Sequence, residues 1–298
     1  MRRWWQDLND LVLPTECGGC GRQRAVLCGR CRAALLGTPP RRARPAPEPP
    51  GLPAVYAAAR YGDEVRAALL AHKERGALAL ARPLGEALAG AVRAGLRGAG
   101  AAGSGREVLL VPVPSSRGAV RARGHDPARR IALAAAARLR ATGTPAGVAA
   151  VLRQRRPVAD QSGLDARRRA DNLAGALAVT RAGGVLLAGG GRIVLVDDLV
   201  TTGASLAEAA RAVGRQVRDG RESTAVHGDP APPVYAAASR EVRENEGEGT
   251  ARSMVERRCG TARTADGTPG ADGPAGLGRV VCAAVVAASH ASFEINRN

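Results

Sequence analysis

The densest set of reactive groups in the chain lies between Ile193 and Ser205. The apolar, β-branched-rich run Ile193 to Val196 ends in two adjacent carboxylates, Asp197 and Asp198, and Thr201, Thr202, Gly203, Ala204 and Ser205 follow. A short continuous apolar run predicts a strand buried on both faces of a parallel sheet. Its end is where open α/β sheets bind ligands. Carboxylates there can accept hydrogen bonds from vicinal hydroxyls or approach a magnesium ion. The hydroxyls and free backbone N–H groups at the start of the helical pattern Leu206 to Val213 form an anion cradle. A phosphorylated sugar suits both halves. Asp and Thr also cap helices after ordinary strands, but here apolar run, acid pair and loop agree on one site.

A second cluster lies near the N-terminus. Cys17, Cys20, Cys28 and Cys31 form two C-x-x-C pairs, so four of the six cysteines fall within fifteen positions. Each pair aims two thiolates at one point, which is a zinc-ligand pattern. A redox role for one pair would leave the other unexplained. Four thiolates close the coordination shell, so the zinc expected here is structural and could contribute on the order of 10 kcal/mol of folding free energy. Cys259 and Cys282 are read as unpaired.

Further candidates are basic or polar. Lys73 is the only lysine among 44 basic residues. Near a helix end, Lys73 and Arg75 can answer the macrodipole, or Lys73 can supply a compact ammonium where a planar guanidinium would not serve. The run Val108 to Val113 predicts another buried strand, and Ser115, Arg117, Arg123 and Gly124 after it form a basic turn able to hold a diphosphate. His125 is read as a loop histidine rather than a base. Gln161, Arg169 and Asn172 lie in a long polar stretch after Leu152 that is expected to close over the site.

These groups need a scaffold. Residues 1–36 are expected to hold an N-terminal helix and the cysteine module, 37–54 a Pro/Arg linker, and 55–214 the main α/β domain. Val55 to Tyr61 predicts a strand, Val65 to His72 a helix, Pro127 to Arg140 a helix entered through Pro127, and Val148 to Leu152 a strand. Residues 215–279 carry ten glycines, five prolines and charges that sum to zero, which predicts disorder. Residues 280–298 return to a strand, Val280 to Ala288, and a polar tail. With this insertion before it, the last strand is the expected weak point, and its failure to dock would cost the sheet an edge.

Composition narrows the partners. The net charge of +17 sits in residues 1–214, with 33 basic and 16 acidic side chains, against 11 of each in 215–298. Such an excess favours an anionic partner, although arginine-rich surfaces are also simply solvated. Asp7 and Asp10 interrupt the apolar N-terminus, so no secretory signal is expected, and no apolar run reaches the roughly 18 residues of a membrane span. A cytoplasmic protein without membrane insertion is expected.

The string from Ile193 to Ser205 resembles the phosphoribosyl diphosphate (PRPP) motif of type I phosphoribosyltransferases. That resemblance implies ribose hydroxyls on Asp197 and Asp198 and the 5′-phosphate on Thr201 to Ser205, with Mg2+ accompanying PRPP. The four-cysteine module, Lys73 to Gly76, Val111 to Pro114 before an Arg-Gly turn, Gln161 to Asn172 and the Asp-Asp loop together resemble the ComF family of competence-associated proteins over residues 1 to about 213 and the last twenty. It implies a type I phosphoribosyltransferase fold, a mostly parallel sheet flanked by helices, with a structural zinc module. Phosphoribosyl transfer to an acceptor and a part in DNA uptake follow from it. The alternatives are an accessory that binds single-stranded DNA or a competence helicase, and a PRPP-sensing regulator. His125-Asp126-Pro127 departs from the Phe-Asn-Gln of many relatives.

Overall fold

The computed structural model describes residues 16–103, 105–156, 166–188, 191–227 and 280–293. Their strands are β1 (Arg41–Ala43), β2 (Val55–Arg60), β3 (Val108–Pro112), β4 (Ala146–Val148), β5 (Leu152–Gln154), β6 (Leu177–Val179), β7 (Arg192–Val200) and β8 (Val280–Ala288). Their helices are α1 (Gly29–Leu36), α2 (Asp63–Glu74), α3 (Ala81–Gly98), α4 (Arg117–Arg123), α5 (Pro127–Ala141), α6 (Ala166–Leu173), α7 (Arg181–Ala188) and α8 (Ala204–His227).

Six strands form one mixed sheet in the order β1-β2-β8-β7-β3-β4. Only β1 is antiparallel to its neighbour; the other four pairings are parallel. β5 and β6 form a separate antiparallel ribbon. Period-two alternation splits each central strand between two cores. Leu110, Val194, Val196, Ala284 and Val286 face one cluster with Leu84, Leu88, Ile131 and Leu139 of α3 and α5. Leu109, Val111, Ile193, Leu195 and Val285 face another with Leu206, Ala209 and Val213 of α8. Both faces are covered, as the continuous apolar runs require. With few aromatics the layers close on small residues: a Cβ on Gly85 of α3 would lie 2.5 Å from the Ala134 methyl of α5, so these helices pack at a distance only glycine permits.

Helix entries are set locally. Ser116 caps α4 by accepting from the Ala119 N–H at 3.1 Å, and Asp126 caps α5 by accepting from the Arg129 N–H at 3.1 Å, with Pro127 opening the helix. Both follow the usual cap chemistry.

Several expectations change. The 37–54 linker contains an edge strand: Arg41 to Ala43 pairs with Val55 to Ala57, and Ala43 is buried. The helix expected to end near Val213 runs to His227, past the boundary at 214, because Val217 still reaches the core below it. The strand expected over Val148 to Leu152 divides into β4 and β5, and part of the expected polar loop after it is helical, α6. β8 is not an edge. It fills the gap between β2 and β7, pairing with both, and Cys282 is a free, fully buried thiol on it. Residues 1–15, Gln161, Cys259 and 228–279 lie outside the described residues, and so do the expectations placed on them.

Candidate functional site

From β3 the chain moves outward to β4, then returns across β3 to β7. The order of strands therefore reverses between β3 and β7, and the crevice beyond their carboxyl ends is a topological switch point. A cleft of about 430 Å³ opens there. Its lining includes Lys73 from α2, Ser115, Ser116 and Arg123 after β3, Asp197 and Asp198 near the end of β7, Thr201 and Ser205 after it, and Gln154, Leu173 and Leu177 from the β5/β6 side; the strand expected to end at the acid pair runs on to Val200 and carries both acids.

Lys73 sets the electrostatics of the floor. Its Nζ donates to Asp198 Oδ2 at 3.2 Å, and the Asp198 N–H donates to Asp197 Oδ1 at 2.8 Å. Asp198 chiefly, and Asp197 after it, raise the Lys73 pKa against the opposing effect of burial. Burial, reinforced by the charge of Asp198, pushes the Asp197 carboxyl well above the usual carboxylate range, with Lys73 pulling the other way. Two adjacent acids in a recessed cleft resist joint ionisation unless a cation or hydroxyl donors arrive.

The sequence candidates separate in space. Lys73, Ser115, Arg123, Asp197, Asp198, Thr201 and Ser205 converge on the cleft. Gly203 and Ala204 are buried behind its wall, and Thr202 lies outside the lining. Gly203 has φ of 77°, a left-handed conformation, and a Cβ there would meet Leu52 Cδ2 at 2.9 Å. This close approach draws the 44–52 segment against the start of α8. Arg75 turns back along α2 to donate to the Ala67 carbonyl at 3.3 Å, and exposed Arg117 lies outside the lining. Arg169 and Asn172 sit on α6, also outside it. Arg123 forks onto Glu74, Nε to Oε2 at 2.8 Å and Nη2 to Oε1 at 2.7 Å, so part of its hydrogen-bonding capacity is already engaged.

Sequence reasoning missed the β5/β6 wall and its fastening. Buried Glu208 of α8 accepts from the Leu177 N–H at 2.9 Å and from Arg211 Nε at 2.6 Å. Burial alone would raise its carboxyl pKa, but these donors outweigh it and hold the group below its ordinary range. The signal was an acid and an arginine three residues apart in the otherwise apolar stretch Leu206 to Val213. His72 was missed as well: it is buried on α2, and its ring meets His125 edge-on with centroids 5.5 Å apart.

The four cysteines form the second site. Their sulfurs all lie within 4.8 Å of one another, and three of the four are buried. Tetrahedral zinc–thiolate bonds of about 2.3 Å place sulfurs just under 4 Å apart, so the cluster can hold a zinc ion. Burial works against ionising Cys17, but backbone donors, first the Cys28 N–H at 3.3 Å, bring its pKa down to about 6. A ready thiolate is what metal binding needs. Neighbouring Cys31 is pushed up by burial and by the other thiols.

No helix among the described residues is long and apolar enough to cross a membrane. Comparison with protein-family models, curated proteins and solved structures finds no match to this chain.

Proposed function

We propose that the protein binds PRPP with its magnesium ion in this cleft, as a ComF-like member of the type I phosphoribosyltransferases, and transfers the phosphoribosyl group to an acceptor. The observation that carries the reading is the meeting of Asp197 and Asp198, Lys73, and the Thr201 and Ser205 hydroxyls in one cleft at a sheet switch point. Asp197 and Asp198 accept from the ribose 2- and 3-hydroxyls, which relieves their mutual repulsion. Thr201 and Ser205 hold the 5′-phosphate at the start of α8. Ser115, Ser116 and Arg123 lie across the cleft, where the diphosphate would extend.

In transfer, a nucleophile bonds to the anomeric carbon as its bond to the diphosphate oxygen breaks. The oxygen leaves with the electron pair as part of the diphosphate, and the proton of the nucleophile passes to water. Positive charge on the sugar is stabilised by the strand-end acids. Bound magnesium supplies countercharge to the diphosphate. The four-cysteine cluster lies apart from this cleft and has no part in the step.

Calorimetry tests the binding. Wild type should bind PRPP in a magnesium-dependent manner, and Asp197→Asn/Asp198→Asn should weaken it by at least tenfold, the loss of about one charged hydrogen bond. Unchanged affinity in the double variant refutes the assignment. Pyrophosphate release, screened against nucleobases, nucleotides and oligonucleotides, then identifies the acceptor; binding without release restricts the reading to a PRPP sensor.

A further inference from the structure

His125 stands between the two cations of the cleft without entering it. Its Nδ1 lies 3.1 Å from the Arg123 carbonyl oxygen and its Nε2 lies 3.1 Å from the His72 carbonyl oxygen. Both partners only accept. A neutral imidazole has one N–H, so it satisfies one carbonyl and turns a lone pair on the other; the imidazolium donates to both. The carbonyls belong to the residue before Lys73 and to Arg123 itself. The ring therefore ties the last turn of α2, which carries Lys73, to the last residue of α4, which carries Arg123.

We propose that His125 is a positioning residue, whose ring, set between the two carbonyls, holds Lys73 and Arg123 in register for the diphosphate-bearing ligand. The proposal rests on the PRPP reading and deepens it.

From α2, His72 presents its ring edge-on, and burial first, then the charge of His125, lowers its pKa. The His72 Nδ1 faces the Ala77 carbonyl at 3.4 Å, and its buried Nε2 has no partner. From the same helix, Glu74 is taken up by Arg123. From the start of α5, Asp126 spends one oxygen on the Ser115 N–H at 3.3 Å and the other on the Arg129 N–H at 3.1 Å. Arg130 adds positive charge on the His72 side. Among the described residues no carboxylate is hydrogen-bonded to the His125 ring, whose polar partners are the two carbonyls.

Calorimetric titration of the full chain with magnesium and PRPP tests this. His125→Leu, which removes both ties, should weaken binding about fivefold, the worth of one hydrogen bond, while His125→Gln, which keeps a donor, should recover most of the loss. Wild-type affinity in His125→Leu, or an equal loss in both variants, overturns the positioning role alone. Absence of PRPP binding to wild type overturns the functional reading beneath it.

Discussion

Replacing Lys73 by methionine keeps the aliphatic stem and removes the charge that faces the acid pair. At the observed 3.2 Å, Coulomb's law gives about 5 kcal/mol for an effective dielectric near 20 and about 1 kcal/mol in water. Lys73 is 36% and Asp198 13% exposed, and solvent screening of the exposed ammonium moves the value toward the lower limit, about 1 to 2 kcal/mol. The pH dependence has two edges. Lys73 has its pKa raised, by Asp198 first, so its contribution is complete below the ordinary lysine range and is lost as pH climbs through the raised value. On the acid side the smaller attraction of Asp197 for Lys73 fades early, because burial and then Asp198 raise the Asp197 pKa. Urea unfolding of wild type, Lys73→Met, Asp198→Asn and the double variant should therefore give a coupling of about 1 to 2 kcal/mol near pH 7.5. A coupling below about 0.3 kcal/mol near pH 7.5 would refute the reasoning, because the pair would then be no more than a solvated contact.

Two further outcomes are expected. The purified protein should carry one zinc per chain by elemental analysis, and Cys31→Ser should lose it and expose Leu35, read as new dye binding; metal-free wild type with an unchanged melt would count against the metal site. Gly203→Val places a β-branched residue at φ of 77° with its Cβ against Leu52, so it should cost about 2 kcal/mol or more in urea unfolding, whereas a cost within about 0.5 kcal/mol would show that the loop relaxes freely.

The cleft was legible where chemistry and local pattern coincide. Asp197 and Asp198 close an apolar run that can only be a buried strand, and a lone lysine among arginines marked the partner of Asp198. Arg75 and Arg117 share the character of their neighbours, but helical rotation turns them elsewhere, and a few degrees of twist are not written in residue type. Glu74 as the partner of Arg123 needs two segments 49 residues apart. The contribution of Leu177 depends on a ribbon held by Glu208 through a long-range hydrogen bond. The edge strand Arg41 to Ala43 reads as a linker because Pro and Arg dominate it; pairing with β2, rather than propensity, makes it a strand. The central place of β8 was invisible for the same reason: an alanine- and valine-rich run states that it is buried, not between which neighbours.

That central place has a consequence for how the protein is made. Val55 in β2 pairs beside Ala283 in β8, so the first and last strands of the parallel layer are separated by most of the gene. At elongation rates of about 5 to 20 residues per second, β2, β3 and β7 emerge many seconds before the strand that joins β2 to β7. Until then β2 and β7 each present an open edge to the cell. The nascent chain must hold two half-sheets apart from each other and from other chains, and a ribosome stalled beyond His227 but before Val280 would release a polypeptide with every cleft-lining residue and no continuous sheet to mount them on.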